Sequence, residues 1–321
     1  MVTLGSGDYT YEPVENWARL PPGWSFKEIG GVGVDSKDNV YVFNRGEHPM
    51  IVFDRDGNFL RSWGEGGMFP RAHGVFVAPD ETLWLTDDGD HTVRQCTIEG
   101  KVLLTLGTSG KPAPYMSGEP FHRCTHTAMA PNGDLYISDG YGNSRVHKYS
   151  PDGKLIMSWG GPGTDPGEFN IVHNITCDAD GWVYVADREN HRVQVFDGNG
   201  KFETQWNNLH RPSGLFMTGG QCPLCFIGEI GPHLAVNLDL PNIGPRLSIL
   251  DLKGNLVARV QANPARGGGP GQFISPHGLA VDSHGDIYVG EVAQSSWSRS
   301  YPNGPKPQHI RCLQKLVKVA A

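Results

Sequence analysis

Long apolar runs are missing from this 321-residue sequence, and none approaches the roughly 20 residues that a membrane helix requires. Charge is scarce too: 19% of residues are charged, and the net charge is −7. That balance argues against a nucleic-acid partner and against a membrane partner, because both present anionic surfaces. The basic residues are scattered, apart from the short stretch Lys315–Lys318. The six cysteines show no framework spacing except Cys222-Pro-Leu-Cys225. No second Cys or His pair at metal-ligand spacing accompanies that motif, so a turn with two free thiols is expected there. Residues Met1 to Tyr11 carry neither a basic nor an apolar leader segment, which leads us to expect a cytoplasmic protein with reduced cysteines. A sustained helical period is also absent, which excludes an α or α/β class.

Glycine and proline are plentiful, at 43 and 24 residues, and they punctuate a repeat. His73-Gly-Val-Phe-Val-Ala-Pro-Asp aligns with His173-Asn-Ile-Thr-Cys-Asp and with His277-Gly-Leu-Ala-Val-Asp. In each case 14 positions separate the histidine from an acid, Asp87, Asp187 or Glu291. Thr125 to Asp139 and Gly30 to Asn44 fit the same frame, and a degenerate copy begins near Ser213 with an insertion over 219–225. Anchors at 30, 73, 125, 173, about 213 and 277 define six units averaging about fifty residues, the length of a propeller blade. Short runs rich in Val, Ile, Tyr and Trp alternate with turn pairs at 57–58, 132–133, 152–153 and 199–200. The fold class is therefore all-β, a six-bladed β-propeller in one domain over residues 1–321. The segments 9–20 and 311–319 are expected to complete one blade and close the ring.

The three histidines occupy one repeat position in units two, four and six, whose blades lie 120° apart in a six-fold ring. The repeat thus directs His73, His173 and His277 to the central axis. Three protein ligands with an open outer position are the arrangement of a catalytic zinc site, so one divalent metal, zinc first, is the expected cofactor. A single histidine at a strand start is more often a structural residue. The other units carry Gly30, Thr125 and Ser213 there, so the repeat itself does not require histidine. His91 and His191 sit at a repeat-structural loop position, and His48 is a weaker candidate for the metal face. Loops 108–122 and 293–306 are expected to shape the mouth of the pocket.

NHL-type repeats are visible in Asp187-Arg-Glu-Asn-His-Arg-Val-Gln-Val-Phe. Five segments resemble the peptidyl-α-hydroxyglycine α-amidating lyases: Val40-Tyr-Val-Phe-Asn-Arg-Gly-Glu-His48, His73-Gly-Val, Ser138-Asp-Gly-Tyr-Gly-Asn-Ser-Arg145, Ala186-Asp-Arg-Glu-Asn190 and Pro276-His-Gly278. The likeness runs over about residues 30 to 292. That family splits a carbinolamide, R-CO-NH-CH(OH)-COOH, into an amide and glyoxylate. The resemblance implies zinc ligands at His73, His173 and His277, a catalytic tyrosine at Tyr141, and active-site arginines at Arg45 and Arg188. A cation beside a phenol favours its charged form, which suits Tyr141 and Arg188 to acid–base work. The planar fork of Arg45 suits a carboxylate. On the bland reading, Arg45 and Arg188 pair with nearby acids, as expected of Arg145 and Arg192, and Tyr141 is a turn aromatic.

The sequence departs from the family in three places. Gly142 stands where secreted animal members have a disulfide cysteine. Ser275 replaces a methionine near the metal. Gly278 replaces an aspartate that helps bind a structural calcium, which would be a second cofactor. The 321 residues also contain no copper monooxygenase segment, so the expected substrate is a small hydroxylated or carboxylated molecule rather than a peptide. The leading expectation is thus a metal-dependent lyase that breaks a C–N or C–O bond at a hydroxyl-bearing carbon. A metal-dependent hydrolase or hydratase could use the same three histidines. An NHL propeller serving as a non-catalytic binding platform is the alternative of another class.

Overall fold

The computed structural model describes residues 2–319 and consists of six antiparallel sheets. Five are four-stranded and built from consecutive strands, spanning 29–63, 72–106, 126–159, 172–206 and 212–260. The sixth contains Pro276–Val281, Ile287–Glu291 and Leu313–Lys318, followed by Tyr9–Val14 and Leu4–Ser6 from the start of the chain. Tyr11 pairs with Lys318 and Val14 with Lys315, so one blade joins the two ends of the chain. We number the blades one to six in chain order of their first strands.

The first strands of successive blades touch in a closed cycle, and blade six meets blade one through Pro276–Val281 and Ile29–Val34. This closure matters because an open sheet edge invites pairing with other chains. Second strands such as Val40–Asn44, Leu83–Asp87, Leu135–Asp139 and Val183–Asp187 are buried at every position. Both of their faces pack against neighbouring blades, so they read as continuous apolar runs rather than an alternation. The outermost strands, among them Val102–Leu106, Leu155–Trp159 and Phe202–Trp206, are largely exposed until their last residue. Trp159 and Trp206 end two of them and are buried. Each fully buried large apolar side chain contributes about 1.5–3 kcal/mol relative to exposure.

The hairpin between first and second strands is fastened the same way in blades one, four and six. Asp35, Asp178 and Asp282 each accept two backbone N–H bonds within the turn through one oxygen. Their second oxygen accepts the hydroxyl of a buried tyrosine on the next strand, Tyr41, Tyr184 or Tyr288. Gly133 (φ 86°) and Gly153 (φ 81°) supply the left-handed backbone at two of the turns marked in the sequence. Blade five carries its expected insertion between Pro212–Met217 and Leu224–Glu229, with Cys222 exposed and Cys225 buried. All six cysteines are free.

The structure adds one α-helix, α1 (Ala293–Ser300), inserted between strands of blade six. Its Ser-rich sequence, Ala-Gln-Ser-Ser-Trp-Ser-Arg-Ser, has weak intrinsic helix propensity and spans about two turns, too short to show a period. No helix among the described residues is long and apolar enough to cross a membrane.

Candidate metal centre and its cavity

In five blades a buried acid at the end of the second strand sets the position of the axial residue. Asp87 accepts the backbone N–H of Arg71, and Asp139 that of His122. Asp187 accepts from Asn170, Glu229 from His210, and Glu291 from both Ile274 and Ser275. Asn44 does the same for Lys27 in blade one. Each bond ties down the loop two or three residues ahead of the axial residue. The constant histidine-to-acid spacing in the sequence is therefore the span of one closed loop.

The axial residues are joined in turn. The Nδ1 of His73 donates to the Thr125 carbonyl at 2.7 Å. The Nδ1 of His173 donates to Ser213, and that of His277 to Gly30, also at 2.7 Å. Every acceptor is the repeat anchor of the following blade. These bonds place the proton on Nδ1 and leave the Nε2 lone pairs free to point inward. The three rings are buried, with centroids 4.6–5.0 Å apart, and their candidate ligand atoms lie within 4.8 Å of one another. Burial, followed by neighbouring rings and arginines, holds all three well below the ordinary histidine value. Neutral imidazoles with inward lone pairs are the donor set that a divalent cation needs. They form the one cluster of three or more His, Cys, Asp or Glu with this geometry among the described residues.

Tyr141 reaches the same point. Its hydroxyl lies 3.0 Å from Nε2 of His173 and 3.2 Å from Nε2 of His73, and Arg188 donates to it from 3.4 Å. The local sequence Gly140-Tyr141-Gly142 explains how it fits. A Cβ at position 140 would overlap the Val172 carbonyl, and one at position 142 would overlap the His122 ring. The cysteine of the secreted lyases has no space at position 142 in this packing.

Arg45 donates from Nε to the Ala72 carbonyl at 2.9 Å and from one terminal nitrogen to Glu28 at 3.4 Å. Its other terminal nitrogen is buried without a partner, an arrangement suited to receiving an acceptor from the cavity. Arg188 is held by Glu189 at 2.7 Å. Burial opposes its charge, but Tyr141 and Glu189 more than offset this and raise it above the ordinary arginine value. Thus both arginines do pair with acids, as the bland reading had it, and both still line the cavity beside Tyr141 and His277.

That cavity has a volume of about 190 Å³. Its walls include Ser275, the α1 residues Ser295, Ser296, Arg299 and Ser300, and Pro232 and His233 from the segment after Leu224–Glu229. Of the two loops expected at the mouth, only 293–306 contributes; no residue of 108–122 lines the cavity. Sequence reasoning missed Arg71, Arg123 and Arg211. Arg71 and Arg123 share the Asp88 carboxylate at 2.5 and 2.7 Å, and Arg123 lies 4.6 Å from the Tyr141 ring centre. Arg211 pairs with Glu189 at 2.9 Å. Arg71, Arg123 and Arg211 each stand two residues ahead of an axial anchor (His73, Thr125 and Ser213), and that recurrence was the available signal.

Several expectations change. His48 pairs with Glu65 at 3.0 Å and stacks on Trp24, and it is absent from the cavity wall. Arg192 binds Asp187 at 2.7 Å as expected, whereas Arg145 bonds the Gly160 carbonyl instead of an acid. His91 and His191 both adopt left-handed backbone, φ 60° and 57°, which fits their repeat-structural role. At Gly278, an added Cβ would lie 2.6 Å from Gly31 Cα. The close approach of blades one and six therefore leaves no space for the carboxylate that the family's calcium site uses.

Comparison with known proteins agrees with the sequence motifs. The NHL repeat model matches residues 169–196. NHL repeat-containing protein 3 of Homo sapiens is 33% identical over 294 residues, covering 84% of this chain and 78% of that protein. Peptidyl-alpha-hydroxyglycine alpha-amidating lyase 1 of Drosophila melanogaster is 33% identical over 256 residues, which is 74% of this chain and 45% of that protein. A streptogramin B lyase structure superposes with a TM-score of 0.61 at 14% identity, covering 98% and 97% of the two chains, a likeness of fold alone. The chain belongs to the NHL-repeat β-propeller family that takes in NHL repeat-containing protein 3 and the peptidyl-α-hydroxyglycine α-amidating lyases.

Proposed function

We propose that the protein is a metal-dependent lyase that cleaves the C–N bond of a small carboxylated carbinolamide, with His73, His173 and His277 holding one divalent cation, zinc in the first instance. The observation that carries this reading is the Tyr141 hydroxyl, seated 3.0–3.2 Å from two histidine Nε2 atoms beneath an arginine-lined cavity. Relatives that bear the amidating-lyase name support the reaction class. A cation held by the three histidines supplies Lewis acidity and so favours loss of the proton from a substrate hydroxyl.

The chain's own residues supply the rest. The unpartnered nitrogen of Arg45 receives the substrate carboxylate and fixes the hydroxyl-bearing carbon near the axis. The hydroxyl gives up its proton, the C–O bond becomes a carbonyl, and the C–N bond breaks with its electron pair passing to nitrogen. Tyr141 is placed to move the proton from oxygen to the departing amide nitrogen. Arg188, 3.4 Å away, stabilises negative charge on the phenol oxygen during that transfer. The products are an amide and glyoxylate. Water is not consumed, which separates this reaction from hydrolysis.

Elemental mass spectrometry of untagged protein purified without chelators, combined with an assay for glyoxylate released from a small acylated α-hydroxyglycine, tests the proposal. About one divalent metal per chain is expected, lost in His173→Ala. Glyoxylate release is expected to fall on the order of 100-fold or more in Tyr141→Phe with the metal retained. A folded wild type without metal would refute the proposal. Heavy oxygen from solvent appearing in the acyl product, as opposed to the glyoxylate aldehyde that exchanges its own oxygen with water, would point instead to hydrolase chemistry.

A further inference from the structure

The charge of the cavity exceeds what one substrate carboxylate requires. The chain as a whole carries −7, yet five arginines line a space of about 190 Å³: Arg45, Arg71, Arg188, Arg211 and Arg299. Their counter-charges are shared. Glu189 serves both Arg188 and Arg211. Asp88 serves both Arg71 and Arg123. Glu28 pairs with Arg45 at 3.4 Å, and its other oxygen accepts the Ser295 N–H at 2.5 Å. Arg299 has no carboxylate partner among the described residues; its nearest polar contact is Ser296 Oγ at 3.5 Å. Uncompensated positive charge therefore stands at three points of one small cavity.

Two groups able to receive an anion lie at opposite depths. The open nitrogen of Arg45 is buried, whereas Arg299 is exposed on α1. Ser296 and Ser300, on the same helix, put hydroxyl donors on the wall near Arg299, and His233 faces in from blade five. The cations also act on one another. Burial and then the charges of Arg188 and Arg299 lower Arg211, despite its bonds to Glu189. A cavity of this kind gains most from a ligand that brings more than one negative charge.

We propose that the cavity contains a second anion subsite, formed by Arg299 with Ser296, Ser300 and His233, and that the substrate is a small molecule with two anionic groups. One is the carboxylate received by Arg45; the other is a carboxylate or a phosphate at the mouth. The position of the first carboxylate rests on the lyase reading above, whereas the outer subsite does not depend on which bond is broken. The cavity volume favours a compact dianion over a polymer.

Calorimetric titration of the purified, metal-replete protein at fixed ionic strength tests this. Three probes suffice: glycolate with one carboxylate, malate with two, and phosphoglycolate with a carboxylate and a phosphate. At least one dianion is expected to bind tenfold or more tightly than glycolate. Arg299→Gln should reduce that dianion-to-glycolate ratio at least fivefold, and Arg299→Lys should restore part of it. Circular dichroism checks the fold of each variant. The ranking of malate against phosphoglycolate tells which anion the outer subsite prefers. A dianion preference that Arg299→Gln reduces supports the proposal even if no lyase activity is found. Equal binding of all three acids, a preference unchanged in Arg299→Gln, or no binding by folded protein overturns it, even if glyoxylate release is seen.

Discussion

Two guanidinium groups lie close to the Tyr141 ring, Arg123 4.6 Å and Arg188 5.5 Å from its centre. Neither arginine is free to drift, because Asp88 holds one and Glu189 the other. Glu189 is the more informative of these acids. Burial alone would raise its carboxyl, but the bonds to Arg211 and the charge of Arg188 bring it down to about 2. A carboxyl held below its unfolded value stabilises the fold fully above about pH 4.5, and that contribution is lost as the pH falls towards about 2. The shift corresponds to ~3 kcal/mol. Glu189→Gln is therefore expected to melt several degrees below wild type at pH 7, with the gap closing below pH 4.5 in thermal melts across that range. The three histidines could be read from the sequence because they occupy one position in the repeat frame, whereas Tyr141 came only from the resemblance to the amidating lyases. Glu189 could not be read in this way, and Arg123 and Arg211, although each stands two residues ahead of an axial anchor, gave no sign of what they pair with. Their partners come from other blades, and residue spacing carries no record of such meetings.

In five of the six blades the loop ahead of the first strand owes its shape to one acid. Asp187 accepts the Asn170 N–H at 2.7 Å and also binds Arg192, Asn190 and Gln194. Removing a buried group with several such partners costs about 3–5 kcal/mol. Asp187→Ala should thus lower the melting temperature strongly. In protein that still folds at low temperature it should also reduce bound metal, since the loop before His173 is no longer pinned; calorimetry and elemental analysis check the two effects. The strands themselves were legible in the sequence, because apolar runs between Gly-containing turns repeat six times. Helix α1 was not. Its eight residues include four serines, and it exists because Ala293 and Ser296 are buried, Ala293 clustering with Ile274 and Ile310 while Trp297 of the helix and Tyr301 pack against that cluster. Tertiary packing overrode a weak local preference there.

Across the whole molecule, the ring is closed by hydrogen bonds between the ends of the chain. Tyr9–Val14 forms the fourth strand of blade six, and Leu4–Ser6 adds a fifth. A variant beginning after Val14 would leave Leu313–Lys318 as an open edge. It should unfold at a lower denaturant concentration than wild type and associate at high protein concentration, as light scattering would show. This closure was legible, since both end segments carry strand-like runs and the inner repeat leaves one blade short. The charge of the axial cavity was not: a net of −7 gave no hint that five arginines line one small space.

The bonds from His73 to Thr125, His173 to Ser213 and His277 to Gly30 connect blade two to three, four to five, and six to one. Three side chains therefore touch all six blades. Like keystones at the crown of a vault, they hold their places only while every segment presses inward. Parting blade two from three, four from five, or six from one would turn an imidazole away from the axis. A cation at the centre would then act as a gauge of these three seams, leaving when any of them loosens.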